Sequence, residues 1–213
     1  HGKEEAMQRT TVGIVVFDEI EVLDFCGPFE VFSVVRLDEA RRREDPSPFN
    51  VKLIGEPGHT ITTSGGMRVT PDHSFDDCPP LDILCVPGGW GTRRELANPA
   101  MLEWLRNRAQ QVELLTSVCT GAMLLGFAGL LEGRRATTHW RSLDWMRDSF
   151  PATTVLYDQH VVEDGDIVTS AGISAGIDMA LKVVARYHGE TIARATAKYM
   201  EYPWPEDNQR RYA

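Results

Sequence analysis

Three short runs of this sequence are rich in apolar residues and have strand character, and the first of them is almost continuously apolar. They read TVGIVVF at residues 11–17, LDILCV at residues 81–86 and VELLTSV at residues 112–118. Such runs are typical of strands buried on both faces, which occur in parallel sheets that helices cover on each side. The sequence therefore predicts a central, mostly parallel sheet inside an α/β fold.

Helices are predicted where apolar residues recur at helical spacing and where Asn, Pro or Gly stand at the expected ends. The predicted helices cover residues 29–37, 99–109, 122–128, 172–188 and 191–200. Pro28 is compatible with the first turn of the first helix, and Asn98 is a suitable cap for the second.

Two hairpins are predicted from glycine-containing turns. Residues 61–69 centre on Gly65-Gly66, and residues 161–170 hold Asp164-Gly165 between two β-rich runs. We expect the first hairpin at the edge of the sheet. With a further strand at residues 49–54, the alternation of strands and helices predicts a doubly wound sandwich. Its functional site should lie at the carboxyl ends of the strands, where the strand order reverses.

The chain length of 213 residues fits one domain, which we place at residues 11–205. The first ten residues place His1-Gly2 ahead of Met7, a pattern typical of an expression-tag remnant, and we expect them to be disordered. Residues 206–213 are expected to form a C-terminal tail.

Acidic residues outnumber basic ones, 31 against 22, which gives a formal net charge of −9. Such a surface repels phosphate backbones, so we expect no nucleic-acid partner. No apolar run approaches the roughly 18 residues of a membrane-spanning helix, and the start of the chain lacks the apolar core of a signal peptide. We therefore expect a cytoplasmic protein without a membrane partner.

The four cysteines, Cys26, Cys78, Cys85 and Cys119, are scattered and form no CxxC pair. This pattern disfavours both a disulfide framework and a metal site. Cys85 is expected to be an inert core thiol and Cys78 a loop thiol, whereas Cys26 is expected near the site without reacting. His160, at the entrance of the second hairpin, is expected on the surface.

Cys119 follows the third apolar run directly, and Thr120-Gly121 then lead into a predicted helix. A cysteine is a useful nucleophile only as the thiolate, whereas the reference pKa of a thiol is about 8.5. The amides and positive dipole end of a helix N-terminus favour the anion, so we expect them to lower the pKa of Cys119. Cysteine also packs as a small hydrophobic residue, which leaves a structural role as the alternative.

Asp24 lies between the apolar residues Leu23 and Phe25, after the first predicted strand. A carboxyl that is partly desolvated has a raised pKa and stays protonated closer to neutral pH. We therefore expect Asp24 to act as general acid and base beside the thiol. The alternative is a structural role as the N-cap of the helix that follows Pro28.

Small residues near the predicted nucleophile provide backbone amides. The amides of Thr120, Gly88 and Gly89 are candidate hydrogen-bond donors to a negative charge that develops in the reaction, and Gly121 allows a tight turn. His139 is a second-rank candidate base, with a packed structural role as its alternative. The residues expected to set the size of the pocket are Phe25, Cys26 and Trp90.

Four longer motifs carry a resemblance to a known family. The motifs CVPGG from Cys85, TSVCTGA from Thr116, GLLEGRRATTHW from Gly129 and SAGISAGID from Ser170 resemble the ThiJ/PfpI superfamily, which is class I glutamine amidotransferase-like. The similarity spans residues 12–202. It implies a flavodoxin-like sandwich, usually a homodimer, with the cysteine in a nucleophile elbow and the acidic residue hydrogen-bonded to it.

The motifs also narrow the activity that the resemblance implies. Proteases of the superfamily carry a histidine directly after the nucleophile, where this chain has Thr120. The run LDFCGP, with CTGA and ATTHW, is most similar to isocyanide hydratases, which convert isocyanides to N-substituted formamides without a cofactor or metal. The segment Ser170-Ala171-Gly172 departs from the pattern, because a hydratase is expected to be richer in glycine there.

Two alternatives stay open at this point. Glyoxalase-type relatives act on α-oxoaldehydes through the same cysteine, and a redox-sensing or ligand-binding domain needs no turnover at all. Similar motifs occur in regulators that carry a helix-turn-helix module. The chain ends at Ala213, so we expect no such module here. The expected partner in either enzymatic reading is a small electrophilic molecule.

Overall fold

A computed structural model describes residues 8–210 as a central sheet with helices packed against it. The strands are β1 (Thr10–Val15), β2 (Phe49–Gly55), β3 (Ile61–Thr62), β4 (Arg68–Val69), β5 (His73–Ser74), β6 (Ile83–Val86), β7 (Leu114–Val118), β8 (Arg135–Ala136), β9 (Thr154–Val155), β10 (Val161–Asp164) and β11 (Ile167–Ser170). The helices are α1 (Val22–Val34), α2 (Thr92–Glu95), α3 (Pro99–Ala109), α4 (Gly121–Phe127), α5 (Leu143–Ser149), α6 (Ala175–His188) and α7 (Glu190–Tyr199).

The main sheet has seven strands in the order β10-β11-β7-β6-β1-β2-β5. All neighbouring pairs are parallel except β10 and β11, which form an antiparallel hairpin at one edge. The three apolar runs are the neighbouring strands β1, β6 and β7, and β6 and β7 are buried along their whole length. The predicted flavodoxin-like, mostly parallel sheet is confirmed.

Helices cover both faces of this sheet. The step from β1 through α1 to β2 and the step from β6 through α3 to β7 run in opposite directions along the sheet. Because such crossovers are right-handed, α1 and α3 lie on opposite faces. Helices α1, α6 and α7 pack on one another, and α4 packs with α2 and α3. The largest fully buried side chains include Phe32, Phe49, Ile14, Ile20, Ile83, Leu84, Met101, Leu105 and Met123.

The first helix begins earlier than the sequence predicts. Helix α1 starts at Val22 and not at Phe29, so Pro28 lies inside it. A proline within a helix removes one backbone hydrogen bond and costs about 3 kcal/mol. Close packing offsets that cost: a Cβ on Gly27 would lie 3.0 Å from Ile177, and one on Gly176 would lie 3.4 Å from Pro28. Packing against α6 thus allows Pro28 inside the helix, although the local sequence predicts that the helix begins after it.

The hairpin around Gly65-Gly66 forms, but its predicted place at the edge of the sheet is wrong. Strands β3 and β4 make a separate two-stranded sheet, and β5 is the edge strand instead. The hairpin packs over the loop after β1, where the amide of Ser64 donates to the carbonyl of Ile20 at 3.0 Å. Asp18 of the same loop accepts from the amide of Thr62 at 2.8 Å.

Contacts with the fold extend beyond the predicted domain, residues 11–205, at both ends. Thr10 already belongs to β1, and the Arg9 guanidinium donates to the carbonyl of Ser47 at 2.8 Å. At the other end, Asn208 accepts from the amide of Val161 at 2.9 Å and donates to its carbonyl at 2.7 Å. Residues 1–7 of the expected tag remnant at residues 1–10, and the last three residues of the expected tail, lie outside the described residues.

His160 is not a surface residue, contrary to the sequence prediction. Its side chain is only 13% exposed, and its Nε2 lies 2.5 Å from Oδ2 of Asp178 on α6. The Tyr202 hydroxyl donates to the other oxygen of Asp178 at 2.8 Å. No sequence pattern indicated that the C-terminal segment, residues 206–210, covers the start of β10 through Asn208.

Candidate active site

Cys119 lies on a strained junction between β7 and α4. Its φ is +57°, a left-handed conformation that is uncommon for residues other than glycine. Two hydrogen bonds hold this backbone: the amide donates to the carbonyl of Ala171 at 3.2 Å, and the carbonyl accepts from the Thr138 hydroxyl at 2.8 Å. Strain that the surroundings fix in this way is typical of functional sites.

The glycines around this junction are required by close backbone contacts. A Cβ on Gly88 would lie 2.4 Å from Oγ1 of Thr120, and a Cβ on Gly121 would lie 1.9 Å from the carbonyl oxygen of Val86. Gly89 has a φ of +126°, and a Cβ there would lie 2.5 Å from the amide nitrogen of Glu21. These glycines let the end of β6 press against the turn that carries the cysteine.

Asp24 lies in the first turn of α1 and is fully buried. The amide of Gly88 donates to its Oδ2 at 3.0 Å, whereas Oδ1 has no hydrogen-bond partner of normal geometry among the described residues. The pKa of Asp24 is raised to about 7, because burial, together with the nearby charge of Glu21, outweighs the opposing effect of the Gly88 hydrogen bond. Asp24 thus has the raised pKa that the sequence predicts. It lies within helix α1, whereas the sequence placed it before the first helix.

The predicted lowering of the Cys119 pKa is wrong. Burial raises the pKa of the thiol well above its ordinary value, and the neighbouring Asp24 carboxylate raises it further. The amide and hydroxyl of Thr120 act in the opposite direction but are outweighed. Desolvation of a side chain that is only 5% exposed exceeds the stabilisation that the end of a short helix provides.

Thr120 connects the cysteine turn to β6 and α2. Its hydroxyl accepts from the amide of Gly89 at 3.0 Å and lies 2.9 Å from the hydroxyl of Thr92, which is fully buried. The amides of Gly88 and Gly89 are therefore already bound to Asp24 and Thr120. This corrects the expectation that those two amides are available to a reacting oxyanion. The amide of Thr120 faces the thiol and stays a candidate for that role.

A cavity of about 260 Å³ opens above Cys119. Its walls contain Glu21, Gly89, Trp90, Arg93, Thr120, His139, Arg141, Ser142 and Ile173. Trp90 lines it as predicted, but Phe25 and Cys26 do not: the Phe25 side chain is buried in the core, and Cys26 packs against that core. The cavity is large enough for a small organic molecule and no more.

His139 shares this cavity with the cysteine. Its Nδ1 accepts from the amide of Arg141 at 3.1 Å, which places the proton of the neutral ring on Nε2. Burial lowers the pKa of His139, and the charges of Arg141 and Arg210 lower it further. A neutral imidazole of this kind can donate through Nε2, whereas the predicted role as a base is less suited to it. Gly172 makes room for the ring, because a Cβ there would lie 2.1 Å from Cδ2 of His139.

Sequence reasoning missed several residues of the cavity wall. Glu21, Arg93, Arg141 and Ile173 come from four separate segments, and no motif joins them. Two signals were available: Arg93 and Arg141 follow Trp90 and His139 by three and two residues, and Ile173 lies in the SAGISAGID motif. Ile173 adds a second strained backbone to the site, with a φ of +52°.

Two of the other thiols, Cys78 and Cys85, lie outside the cavity. Cys85 is fully buried and its pKa is raised to about 12 by burial, as expected for an inert core thiol. Cys78 is half-buried and donates to the carbonyl of Pro79 at 3.4 Å.

Within residues 8–210, no group of three or more His, Cys, Asp or Glu side chains is arranged to hold a metal ion. No helix in that part of the chain has the length and apolar character needed to cross a membrane.

Comparison with known sequences finds one family over most of the chain. The sequence profile of the DJ-1/PfpI family matches residues 10–186. An isonitrile hydratase from Pseudomonas putida is 35% identical over 192 residues, which is 90% of this chain and 78% of that protein. The HTH-type transcriptional regulator CdhR from Pseudomonas aeruginosa is 35% identical over 141 residues, which is 66% of this chain but only 41% of the regulator.

Solved structures agree with the fold. A ThiJ/PfpI family protein from Pseudomonas syringae superposes with a TM-score of 0.81 at 29% identity, covering 95% of this chain and 79% of the other. DJ-1beta from Drosophila melanogaster superposes with a TM-score of 0.74 at 20% identity, covering 92% of this chain and 100% of the other. The second likeness supports the fold alone.

Proposed function

Because the chain belongs to the DJ-1/PfpI family, we propose that it is a hydratase that converts isocyanides to N-substituted formamides, with Cys119 as nucleophile. The observation that carries the proposal is the buried Asp24 carboxyl beside the Cys119 thiol, with a pKa raised to about 7. A carboxyl of that acidity can both accept and return a proton at neutral pH, which this reaction needs twice. The similarity to an isonitrile hydratase supports the same substrate class.

In the first half of the reaction, Asp24 acts as base and then as acid. The thiol is protonated at rest, because its pKa is raised, so the Asp24 carboxylate takes its proton as sulfur attacks the isocyanide carbon. A carbon–sulfur bond forms and leaves a negative charge on that carbon. Asp24 returns the proton to the same carbon, which gives a thioimidate on Cys119 and restores the carboxylate.

In the second half, water replaces the sulfur. The Asp24 carboxylate takes a proton from water as the oxygen attacks the thioimidate carbon, and that proton passes to the nitrogen. The carbon–sulfur bond then breaks, the hydroxyl proton returns through Asp24 to the sulfur, and the formamide leaves. The balance is one isocyanide and one water consumed for one formamide formed.

Two further residues orient these steps. The amide of Thr120 faces the thiol, where it donates to the sulfur as negative charge moves there. His139 lines the cavity, and the proton on its Nε2 makes it suited to donate to the substrate nitrogen. Among the described residues, Oδ1 of Asp24 has no hydrogen bond of normal geometry, so it is suited to exchange a proton with the thiol and the substrate.

The test is formamide production from 4-methoxyphenyl isocyanide at neutral pH. We expect turnover by the wild type, none by Cys119→Ala, and a rate at least about tenfold lower for Asp24→Asn, as removal of a general acid–base catalyst usually costs more than that. Cys78→Ala is the matched control, since that thiol lies outside the cavity. No formamide from the wild type refutes the proposal, and lactate from methylglyoxal in the same preparation would favour the oxoaldehyde alternative.

A further inference from the structure

Two arginines in the cavity wall have no acidic partner. Arg93 and Arg141 line the cavity above Cys119. Their guanidinium groups lie over tryptophan rings, at 5.4 Å for Arg93 over Trp145 and 5.1 Å for Arg141 over Trp140. Among residues 8–210, neither forms an ion pair. Stacking on a ring fixes the plane of a guanidinium and leaves its N–H edge available to a ligand.

Two arginines close to them in the sequence do have acidic partners. Arg94, the next residue on α2, pairs with Glu19 at 3.1 Å, and Arg147, six residues after Arg141, pairs with Asp144 at 3.5 Å. Most arginines among residues 8–210 form an ion pair or donate to a backbone carbonyl. The two cavity arginines do neither, and both line the same small cavity.

The charge of the cavity wall is positive. Glu21 is the one acidic side chain in it, and His139 is neutral near pH 7 because its pKa is lowered. Two arginines and one glutamate leave one positive charge on the wall itself, whereas the Asp24 carboxyl lies buried beside the thiol. The apolar side chains of Trp90 and Ile173 complete the wall and can cover the hydrocarbon part of a substrate.

We propose that Arg93 and Arg141 bind a carboxylate on the substrate, so that the preferred substrates are isocyanides that also carry a carboxylate. Guanidinium groups bind carboxylates through paired N–H donors, which fixes orientation as well as adding affinity. The electrophilic carbon is then directed to Cys119 at the floor of the cavity while the anion is held at its wall. The isocyanide part of this inference rests on the proposed function, whereas the carboxylate part does not.

A pair of labelling reagents tests the carboxylate part alone. Cys119 is alkylated with 4-(iodoacetamido)benzoate or with 4-(iodoacetamido)benzamide, and mass spectrometry of the Cys119 peptide gives the two rates. The reagents share the same reacting carbon and differ in a distant charge. Free glutathione serves as the reference thiol. We expect the ratio of the benzoate to the benzamide alkylation rate to be about fivefold higher for Cys119 than for glutathione, as for a charge pair worth about 1 kcal/mol. The excess should shrink at high salt.

Matched variants assign the effect to the two arginines. Arg93→Gln and Arg141→Gln should each lower the ratio, and the double variant should bring it to the glutathione value. Arg94→Gln removes the same charge from the adjacent position, outside this cavity, and should keep the wild-type ratio. A wild-type ratio equal to that of glutathione, or an equal loss in Arg94→Gln, overturns the proposal.

Turnover then tests the substrate class. We expect 4-isocyanobenzoate to have a higher kcat/KM than 4-isocyanobenzamide, and the ratio of the two to fall in Arg93→Gln and Arg141→Gln. Equal values of kcat/KM for the two substrates contradict the inference. If neither compound is hydrated, the proposed function fails, and the labelling ratio still decides whether the cavity binds a carboxylate.

Discussion

At the scale of single residues, the site depends on two acids that share a buried space. Burial raises the pKa of both Asp24 and Cys119, and the Asp24 carboxylate also disfavours ionisation of the thiol. Two such groups titrate as a pair, and over a wide pH range the pair holds one proton. The one-proton state is the reactive one, because it provides a base for the thiol and afterwards an acid for the substrate.

The first prediction concerns the pH dependence of this pair. Below about pH 7 Asp24 is protonated and cannot accept the thiol proton, so kcat/KM should rise with pH around a midpoint near 7. No falling limb is expected below the ordinary thiol value of 9.0, because the Cys119 pKa lies above it. The Asp24→Asn variant should lack the rise near pH 7. A variant that keeps that midpoint would show that another group controls the rate.

The second prediction is that Asp24 destabilises the fold at alkaline pH. Its pKa rises from 3.8 in the unfolded chain to about 7 in the folded protein, so folding takes up a proton between these values and stability falls as pH increases through them. Asn cannot ionise. The stability of Asp24→Asn relative to wild type should therefore increase by about 1–4 kcal/mol between pH 4 and pH 8.

Urea unfolding at the two pH values measures this difference. The exposed aspartate Asp76 is a suitable control, and Asp76→Asn should show no comparable pH dependence. An Asp24→Asn stability difference that is the same at pH 4 and pH 8 is incompatible with a buried carboxyl that ionises near pH 7.

At the scale of elements, the strand ends and their glycines were the most predictable part of the molecule. The apolar runs marked β1, β6 and β7, and the cysteine after β7 marked the strained turn. The start of α1 was not predictable, because Pro28 is a local stop signal that only packing against α6 overrides. The pKa of Cys119 was mispredicted for a related reason: sequence shows the helix that follows it but not the depth of burial.

The third prediction tests the contact between the end of β6 and the cysteine turn. In Gly88→Ala the new methyl group would meet Oγ1 and the amide of Thr120 within 2.5 Å, so the turn must shift. We expect activity to fall at least about tenfold and stability to fall by about 1–3 kcal/mol. Gly65→Ala, at an open hairpin position without close neighbours, should change neither. Full activity in Gly88→Ala would mean that the contact does not position the thiol.

At the scale of the whole molecule, sequence predicted the fold but not the segments that complete the site. The cavity wall draws on segments far apart in the chain, and the side chains that give it charge, Arg93 and Arg141, belong to no motif. The C-terminal segment was equally hidden, although Arg210 donates to the carbonyl of Thr138, which in turn supports the carbonyl of Cys119. The homodimer and the cytoplasmic location stay predictions.

The fourth prediction concerns this C-terminal segment. Asn208 makes two hydrogen bonds to the backbone of Val161, and loss of both in Asn208→Ala should lower the free energy of unfolding by about 1–3 kcal/mol. Asn107, on the exposed side of α3, is the matched control, and Asn107→Ala should stay within about 0.5 kcal/mol of wild type. Equal stability of the two variants would remove the structural role assigned to residues 206–210.

The central claim is that an isocyanide carbon becomes bonded to the sulfur of Cys119. Rapid acid quenching of wild type mixed with an excess of 4-methoxyphenyl isocyanide, followed by mass spectrometry of its peptides, tests this directly. The account predicts a Cys119 peptide that is heavier by the mass of one isocyanide, at times before formamide formation is complete. Formamide production with an unmodified Cys119, or with the added mass on Cys26 or Cys78 instead, would contradict it.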